Sequence, residues 1–370
     1  MTLRILFAIH GPRNARTAVY LTTARRAEFL IRQGHAVDII TPSDLPLGGW
    51  SRLQPVVLPP VFAMRDLSGY DIVVLHSHLA WARALWRGRG KRPATVVAFH
   101  GLEPLYYDAI AAELARTGER LSPQFELLHR RIVPRLLKVA CRRADRVFCL
   151  NSAERSYLVD NRWAEPGRVA VLPNGVERAV FVQDREYRPQ ARRLVFMGQW
   201  LRAKGTRYLT EAFAAIAVRH PEAELTCLGT GTDIPTVLAD FGEAVRPRVR
   251  VLPSLDREGV AHELARADLF LFPSLSEGFS GALIEAMAAA LPIVTTPVGG
   301  APELLQDGHN AMVVSTADAP ALAAAVCAIL DHPDRRRCMG LAAQAVASRF
   351  EWDLVNQPFA DELLRAARFA

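Results

Sequence analysis

Leu269-Phe270-Leu271-Phe272 is a run of four large apolar residues, and the chain beyond it changes character twice. A loop containing Pro273, Ser274, Ser276, Glu277 and Gly278 comes first, followed by a segment from Ala282 to Leu291 that is apolar nearly all round. A strand with no polar face feeding a helix with no polar face has to lie inside an α/β layer, because neither can give a side to water. Ser280 is the N-cap candidate of that helix, so the N–H groups of Gly281 and Ala282 are left to face an anion. Glu277 falls in the loop above the sheet, and Glu285 about a turn and a half inside the helix. Singly, each reads as a solvated acid. Amid Leu283, Ile284, Ala286 and Met287, however, the carboxylate of Glu285 needs a partner. Two acids bordering a helix tip suit a diphosphate with hydroxyl-rich groups on either side, the anatomy of a sugar nucleotide.

The same alternation of short apolar runs and helical segments extends along the chain. Leu3–Ile9 reads as a strand, 15–33 as a helix closed by Gly34, and Ala36–Thr41 as a second strand, which makes a βαβ unit and implies a parallel sheet. Ligands of such sheets sit beyond the carboxyl ends of strands. This directs attention to the loop holding Gly11, Arg13 and Asn14. The strands 72–76 and 95–99 end at His76 and His100, and a histidine in such a position is more often structural than catalytic. Arg146–Leu150 and Arg168–Leu172 continue the pattern. The irregular polar stretch 183–192 after Pro173-Asn174-Gly175 marks a domain boundary. A second series opens at Leu194–Met197 and runs into a loop, Gly198 to Gly205, that carries Gln199, Arg202 and Lys204. Backbone donors and an ammonium there suit a phosphate, although an ordinary capped turn has the same pattern. Gly229-Thr230-Gly231 ends the next strand. No strand is followed by Gly-x-Gly-x-x-Gly, which disfavours a dinucleotide dehydrogenase.

With 370 residues, half of them hydrophobic, the chain suits two domains that each bury a core. The apolar start contains Arg4 and is only strand length, so a cytoplasmic protein is expected. The five cysteines have no zinc or disulfide spacing. A net charge of +7 is concentrated between residues 130 and 146, where Ile132, Val133, Leu136, Leu137 and Val139 form an opposing apolar stripe. The default for this stretch is a solvated helix face. The alternative is a patch that meets an anionic membrane, placing the protein peripherally on the inner face.

Glu277-Gly278-Phe279-Ser280, Leu283, Glu285-Ala286-Met287-Ala288, then Pro292-Ile293-Val294, Gly299-Gly300 and Glu303 resemble the signature of the family 4 retaining glycosyltransferases. The likeness is close over the second half and loose over the first. It implies a GT-B architecture of two facing Rossmann-like domains. The acceptor would be bound by residues 1–178 and the nucleotide sugar by 179–350, with a C-terminal helix, 351–370, crossing back to the first domain. It further implies that Glu285 binds the ribose and that Glu277 binds donor-sugar hydroxyls. Phe279, Ser280 and Gly281 would line the sugar and diphosphate, Lys204 with Arg202 would neutralise the leaving group, and His100 would contact the reacting sugar. Gln199 stands where the family has an arginine, Gly11 where it has a glycine pair, and Ala290 where it has a glycine. The implied reaction moves a sugar from a UDP- or GDP-linked donor to a glycan, lipid-linked or small-molecule acceptor in polysaccharide or glycoconjugate synthesis. No nucleic acid, metal ion or cofactor is implied. A non-hydrolysing sugar-nucleotide epimerase and a glycosyltransferase-like binding subunit are the competing readings.

Overall fold

A computed structural model describes residues 2–11, 13, 17–44, 54–85 and 92–367. The chain divides into two compact units. The first comprises residues 1–107, 121–175 and 352–370; the second comprises 108–120 and 176–351. The division differs from the expected boundaries chiefly in one respect: the segment 108–120 belongs with the second unit. Its helix, Glu103–Arg116, starts in the first unit and delivers the buried Glu113, which accepts the Tyr208 hydroxyl at 2.6 Å.

Among the described residues each unit carries one six-stranded sheet, and every registered pair in it is parallel. In the first unit β1 (Arg4–Ala8), β2 (Ala36–Ile40), β3 (Ile72–His76), β4 (Ala94–Ala98), β5 (Arg146–Cys149) and β6 (Val169–Val171) lie in the order 2-1-3-4-5-6. The central strands β3 and β4 are buried at every position. The runs Ile72-Val73-Val74-Leu75 and Ala94-Thr95-Val96-Val97 accordingly have no polar alternation to orient one face outward. Helix Trp352–Ala367 joins this core, with Phe359 stacking on Phe7 and meeting Phe148 edge-on. Gly175 is required here, because a Cβ would press into the Trp352 ring.

In the second unit β7 (Arg193–Met197), β8 (Glu224–Leu228), β9 (Val249–Leu252), β10 (Leu269–Phe272), β11 (Ile293–Thr295) and β12 (Met312–Val313) lie in the order 12-11-10-7-8-9. Counted within the unit, this is 3-2-1-4-5-6 read from the other edge, and the order reverses between β7 and β10. Helix Thr206–Arg219 and helix Ala319–Leu330 cover the sheet. The expected helix 282–291 spans Gly281–Ala288 and stops in a left-handed turn at Ala290, φ +55°. Leu291 N–H returns to Ala286 O at 3.1 Å, the six-to-one bond of a Schellman cap, a position that favours glycine. The resemblance's glycine at Ala290 thus has a backbone cause.

Candidate active site

The loops after β7 and β10 leave neighbouring strands at the reversal, and they are fastened to each other before any side chain is considered. Gly205 has φ +67°, and a Cβ on it would overlap the Pro273 carbonyl. Leu275 N–H donates to Ala203 O at 2.7 Å. This fixes Lys204 beside Glu277: Nζ lies 2.7 Å from Oε1, and Ser274 Oγ donates to the same oxygen at 2.7 Å. The Glu277 side chain is only 9% exposed and that of Lys204 24%, so the pair is largely withdrawn from water.

The loop after β11 closes on the same segment. Gly299, φ +58°, leaves no room for a Cβ against Gly278 O, and Gly300 N–H donates to that oxygen at 2.8 Å. Gly300 also makes space for the Phe279 ring, which is buried and lies 5.5 Å from Phe350. The Phe279 ring therefore packs into the wall of the loop. Ser280 caps the helix as expected, its Oγ accepting from Leu283 N–H at 3.4 Å. Gly281 is half-buried, with open space where a Cβ would stand. The first turn of this helix thus offers backbone donors to an anion.

Glu285 is half-buried and has no acidic companion in the first turn of its helix. Burial pushes its carboxyl up to about 7; Glu177 adds to the shift, and Arg257 opposes it. Arg257 itself pairs with Glu177 at 2.6 Å. Neither residue was singled out in the sequence, because both lie far from the acid block along the chain.

Two expected members of the site are placed differently. Arg202 forks onto Glu119 at 2.6 and 3.1 Å on an exposed surface, so its charge is committed there and not to the Lys204–Glu277 pair. Gln199 is exposed. The loop around it is tied to the next one by Trp200 N–H to Thr230 O at 2.8 Å, and Gly229 turns at φ +65° to make that approach.

In the first unit the carboxyl ends of the strands gather histidines. His10 follows β1, His76 ends β3, and His100 follows β4. His100 Nε2 lies 2.9 Å from His76 Nδ1, and the His10 and His76 rings are 6.5 Å apart. Burial lowers all three: His10 to about 4, His76 and His100 well below the usual imidazole range, with the buried Arg26 cation pushing the latter two the same way. Glu154 is also buried. It accepts from Leu102 N–H at 3.1 Å and Leu150 N–H at 2.9 Å, pinning the loops after β4 and β5. Gly11 is buried with ordinary clearance, and Arg13 is spent on Ile39 O and Asp44, each at 3.0 Å. Asn14 lies outside the described residues.

The basic stretch splits into a π-helical segment, Glu126–Ile132, and an α-helix, Val133–Arg143. Its buried stripe is Val133, Leu137, Ala140 and Cys141, whereas Ile132 is exposed, which corrects the expected apolar face. Lys138, Arg142, Arg143 and Arg146 donate to the carbonyls of Asn161, Arg162, Ala84 and Gly167 respectively. Most of this charge therefore caps neighbouring turns. Among the described residues no helix is long and apolar enough to cross a membrane, and no group of three or more His, Cys, Asp or Glu could hold a metal. All five cysteines are free, and only Cys338 is exposed.

Two six-stranded parallel sheets, each flanked by helices, match the GT-B fold. Residues 21–180 match the family described as Glycosyltransferase Family 4, and residues 191–332 match Glycosyl transferases group 1. The chain belongs to the family 4 glycosyltransferases, a family of enzymes. It is 30% identical over 317 residues, 79% of its own length, to the D-inositol 3-phosphate glycosyltransferase of Corynebacterium kroppenstedtii. It is also 32% identical over 206 residues, 55% of its length, to the MMP alpha-(1->4)-mannosyltransferase of Mycolicibacterium hassiacum. The chain spans 66% of the first relative and 49% of the second. Among solved structures, sucrose-phosphate synthase from Thermosynechococcus elongatus aligns over 100% of both chains with a TM-score of 0.79 at 20% identity. The Anabaena protein HepE in complex with UDP-glucose aligns over 98% of this chain and 100% of its own, with a TM-score of 0.71 at 18% identity.

Proposed function

We propose that this protein transfers a sugar from a nucleoside diphosphate sugar to an acceptor hydroxyl with retention at the anomeric carbon. The observation that carries the reading is the Lys204–Glu277 pair set beside the open helix tip at Gly281. Lys204 supplies the cation for the leaving diphosphate, the helix tip supplies backbone donors, and Glu277, already a hydrogen-bond acceptor, takes the donor-sugar hydroxyls. Glu285 takes the ribose hydroxyls. His100 offers a neutral imidazole on the acceptor side, which suits a hydroxyl better than an anion. A UDP-glucose complex of a protein with this fold supports a uridine-linked donor, and relatives named for inositol phosphate support a small polyol acceptor. Because the cationic side chain and helix tip serve the diphosphate, no divalent ion or cofactor is required.

Retention follows if acceptor and leaving diphosphate share one face of the sugar and a phosphate oxygen takes the acceptor proton, with no protein base needed. Incubation with α-linked UDP- and GDP-sugars, inositol phosphates and excess EDTA tests the whole reading. An α-linked product by proton NMR of the anomeric signal is expected. A β-linked product, or activity abolished by EDTA and restored by magnesium, overturns it. Donor isomerisation without acceptor would favour the epimerase instead.

A further inference from the structure

We propose that His76 is a positioning residue for His100: its buried ring holds the His100 imidazole in one orientation and one tautomer, leaving His100 Nδ1 as the nitrogen offered to ligand. The inference rests on the functional reading only in giving His100 a ligand. The juxtaposition itself is read from the first unit alone.

His76 is the last residue of β3 and is 1% exposed, so its polar atoms have to be satisfied inside the protein. His100 lies just beyond β4, the strand that pairs with β3, and His76 itself is in register with Ala98 two residues before it. The rings are 4.2 Å apart between centroids and tilted by 56°. His100 Nε2 meets the nitrogen edge of His76, 2.9 Å from Nδ1 and 3.3 Å from Nε2. Two neutral imidazoles share one proton across such a contact, one ring donating and the other accepting. The groups facing them are the guanidinium of Arg26, held by Leu172 O at 3.1 Å and lying over the Phe359 ring, and the third imidazole, His10, which burial keeps neutral. A second positive charge is disfavoured there, so both rings stay neutral and the tautomer of one dictates that of the other. Whichever nitrogen carries the shared proton, His100 Nε2 is occupied. His100 is half-buried whereas His76 is not exposed, so His100 is the end of the pair that can reach a ligand.

A structural role for His76 would also account for its burial, so the test needs a readout that packing alone does not move. Nitrogen NMR of histidine-labelled full-length protein reports tautomers directly, with His100 assigned through His100→Gln. In the wild type, His100 should show a single neutral tautomer across pH 6–8. In His76→Leu it should show averaged nitrogen shifts, and transfer should fall at least tenfold in kcat with donor KM within twofold. His76→Asn carries an amide near the Nδ1 position, and should recover part of both the tautomer signature and kcat. An unaltered His100 pattern in the folded His76→Leu protein, or an Asn variant no better than Leu in either readout, overturns the proposal. Because the tautomer readout needs no turnover, failure of the transfer reaction and failure of the positioning role are separable.

Discussion

The two units share a sheet of six parallel strands and differ in where the strand order reverses and in what chemistry stands there. In the first unit the reversal lies between β1 and β3, and it is occupied by imidazoles that burial and Arg26 keep neutral. In the second it lies between β7 and β10, and it is occupied by a charged pair, Lys204 and Glu277, next to a helix tip. On the reading proposed above, the cation and backbone donors of the second unit would serve a diphosphate, and the uncharged hydrogen-bonding groups of the first an acceptor hydroxyl. One architecture thus carries two chemistries through the residues at its strand ends.

The most damaging way to break this contrast is at Gly205, where the second unit's charged pair depends on backbone geometry. Gly205→Ala places a Cβ on the Pro273 carbonyl at a left-handed residue. It should destabilise the second unit by about 2–4 kcal/mol. In thermal unfolding the transition belonging to that unit should shift down while the other stays. Unfolding of the variant at the wild-type temperature would mean that the two loops are not fastened there.

Next in size is Glu285, whose carboxyl is kept in the site at a cost to stability. Its pKa of about 7 lies above the ordinary value of 4.5, so between these values the folded chain holds a proton that the unfolded chain has lost. The stability contributed by that proton is complete below about pH 4.5 and disappears as the pH rises through about 7, a loss of about 3–4 kcal/mol at about 1.4 kcal/mol per pH unit. Glu285→Gln should match the wild type at pH 4.5, be more stable than it at pH 8, and bind donor more weakly. Parallel stability profiles for the two proteins would show that the Glu285 carboxyl keeps its ordinary pKa in the folded chain.

The second unit's acid block was legible in the sequence because its parts are adjacent along the chain, whereas Lys204 lies 73 residues before Glu277 and was reached through the resemblance. Ser280 caps its helix, Glu277 and Glu285 flank it, and Lys204 precedes a glycine that forces a left-handed turn. What the sequence did not disclose was long-range. The Arg257–Glu177 pair is separated by many elements, and Arg202 is diverted by Glu119 from a segment that belongs, by chain order, to the first half. His76 was passed over for a related reason. A histidine ending a strand is commonly structural, and only the register of β3 with β4 brings it to His100. The packing of the Phe279 ring against Phe350 was not legible either, because a motif gives a residue's neighbourhood and not the direction in which its side chain packs.

Lys204→Ala sharpens the comparison from the ligand's side. If the second unit is the anion-binding one, loss of the ammonium should weaken nucleoside diphosphate binding by about 1.5–3 kcal/mol, roughly tenfold to 150-fold in Kd. Titration calorimetry with UDP and with uridine should show the effect for the diphosphate and little for the nucleoside. Equal weakening of both would mean that Lys204 acts through the Glu277 and Ser274 network on the shape of the pocket.

The smallest effect is expected on the first unit's basic helix, where position along the chain overstates the available charge. Lys138, Arg142, Arg143 and Arg146 are engaged with carbonyls, and Arg130 lies 3.5 Å from Glu126, while Arg131 and Arg135 are exposed cations outside these contacts. Exposed charges of this kind change stability by no more than about 0.5 kcal/mol when replaced. Two cations near an anionic surface contribute about 1 kcal/mol each, and the contribution is screened within roughly a Debye length, about 8 Å at physiological salt. The double substitution Arg131→Ser and Arg135→Ser should therefore leave thermal unfolding unchanged and leave vesicle co-sedimentation at 0.15 M salt, an ionic strength at which that screening applies, indistinguishable from the wild type. Wild-type protein that sediments with phosphatidylserine vesicles and is released by the double substitution would convert this helix from a solvated face into a membrane contact. The contrast between a neutral first unit and a charged second one would then be confined to the strand ends.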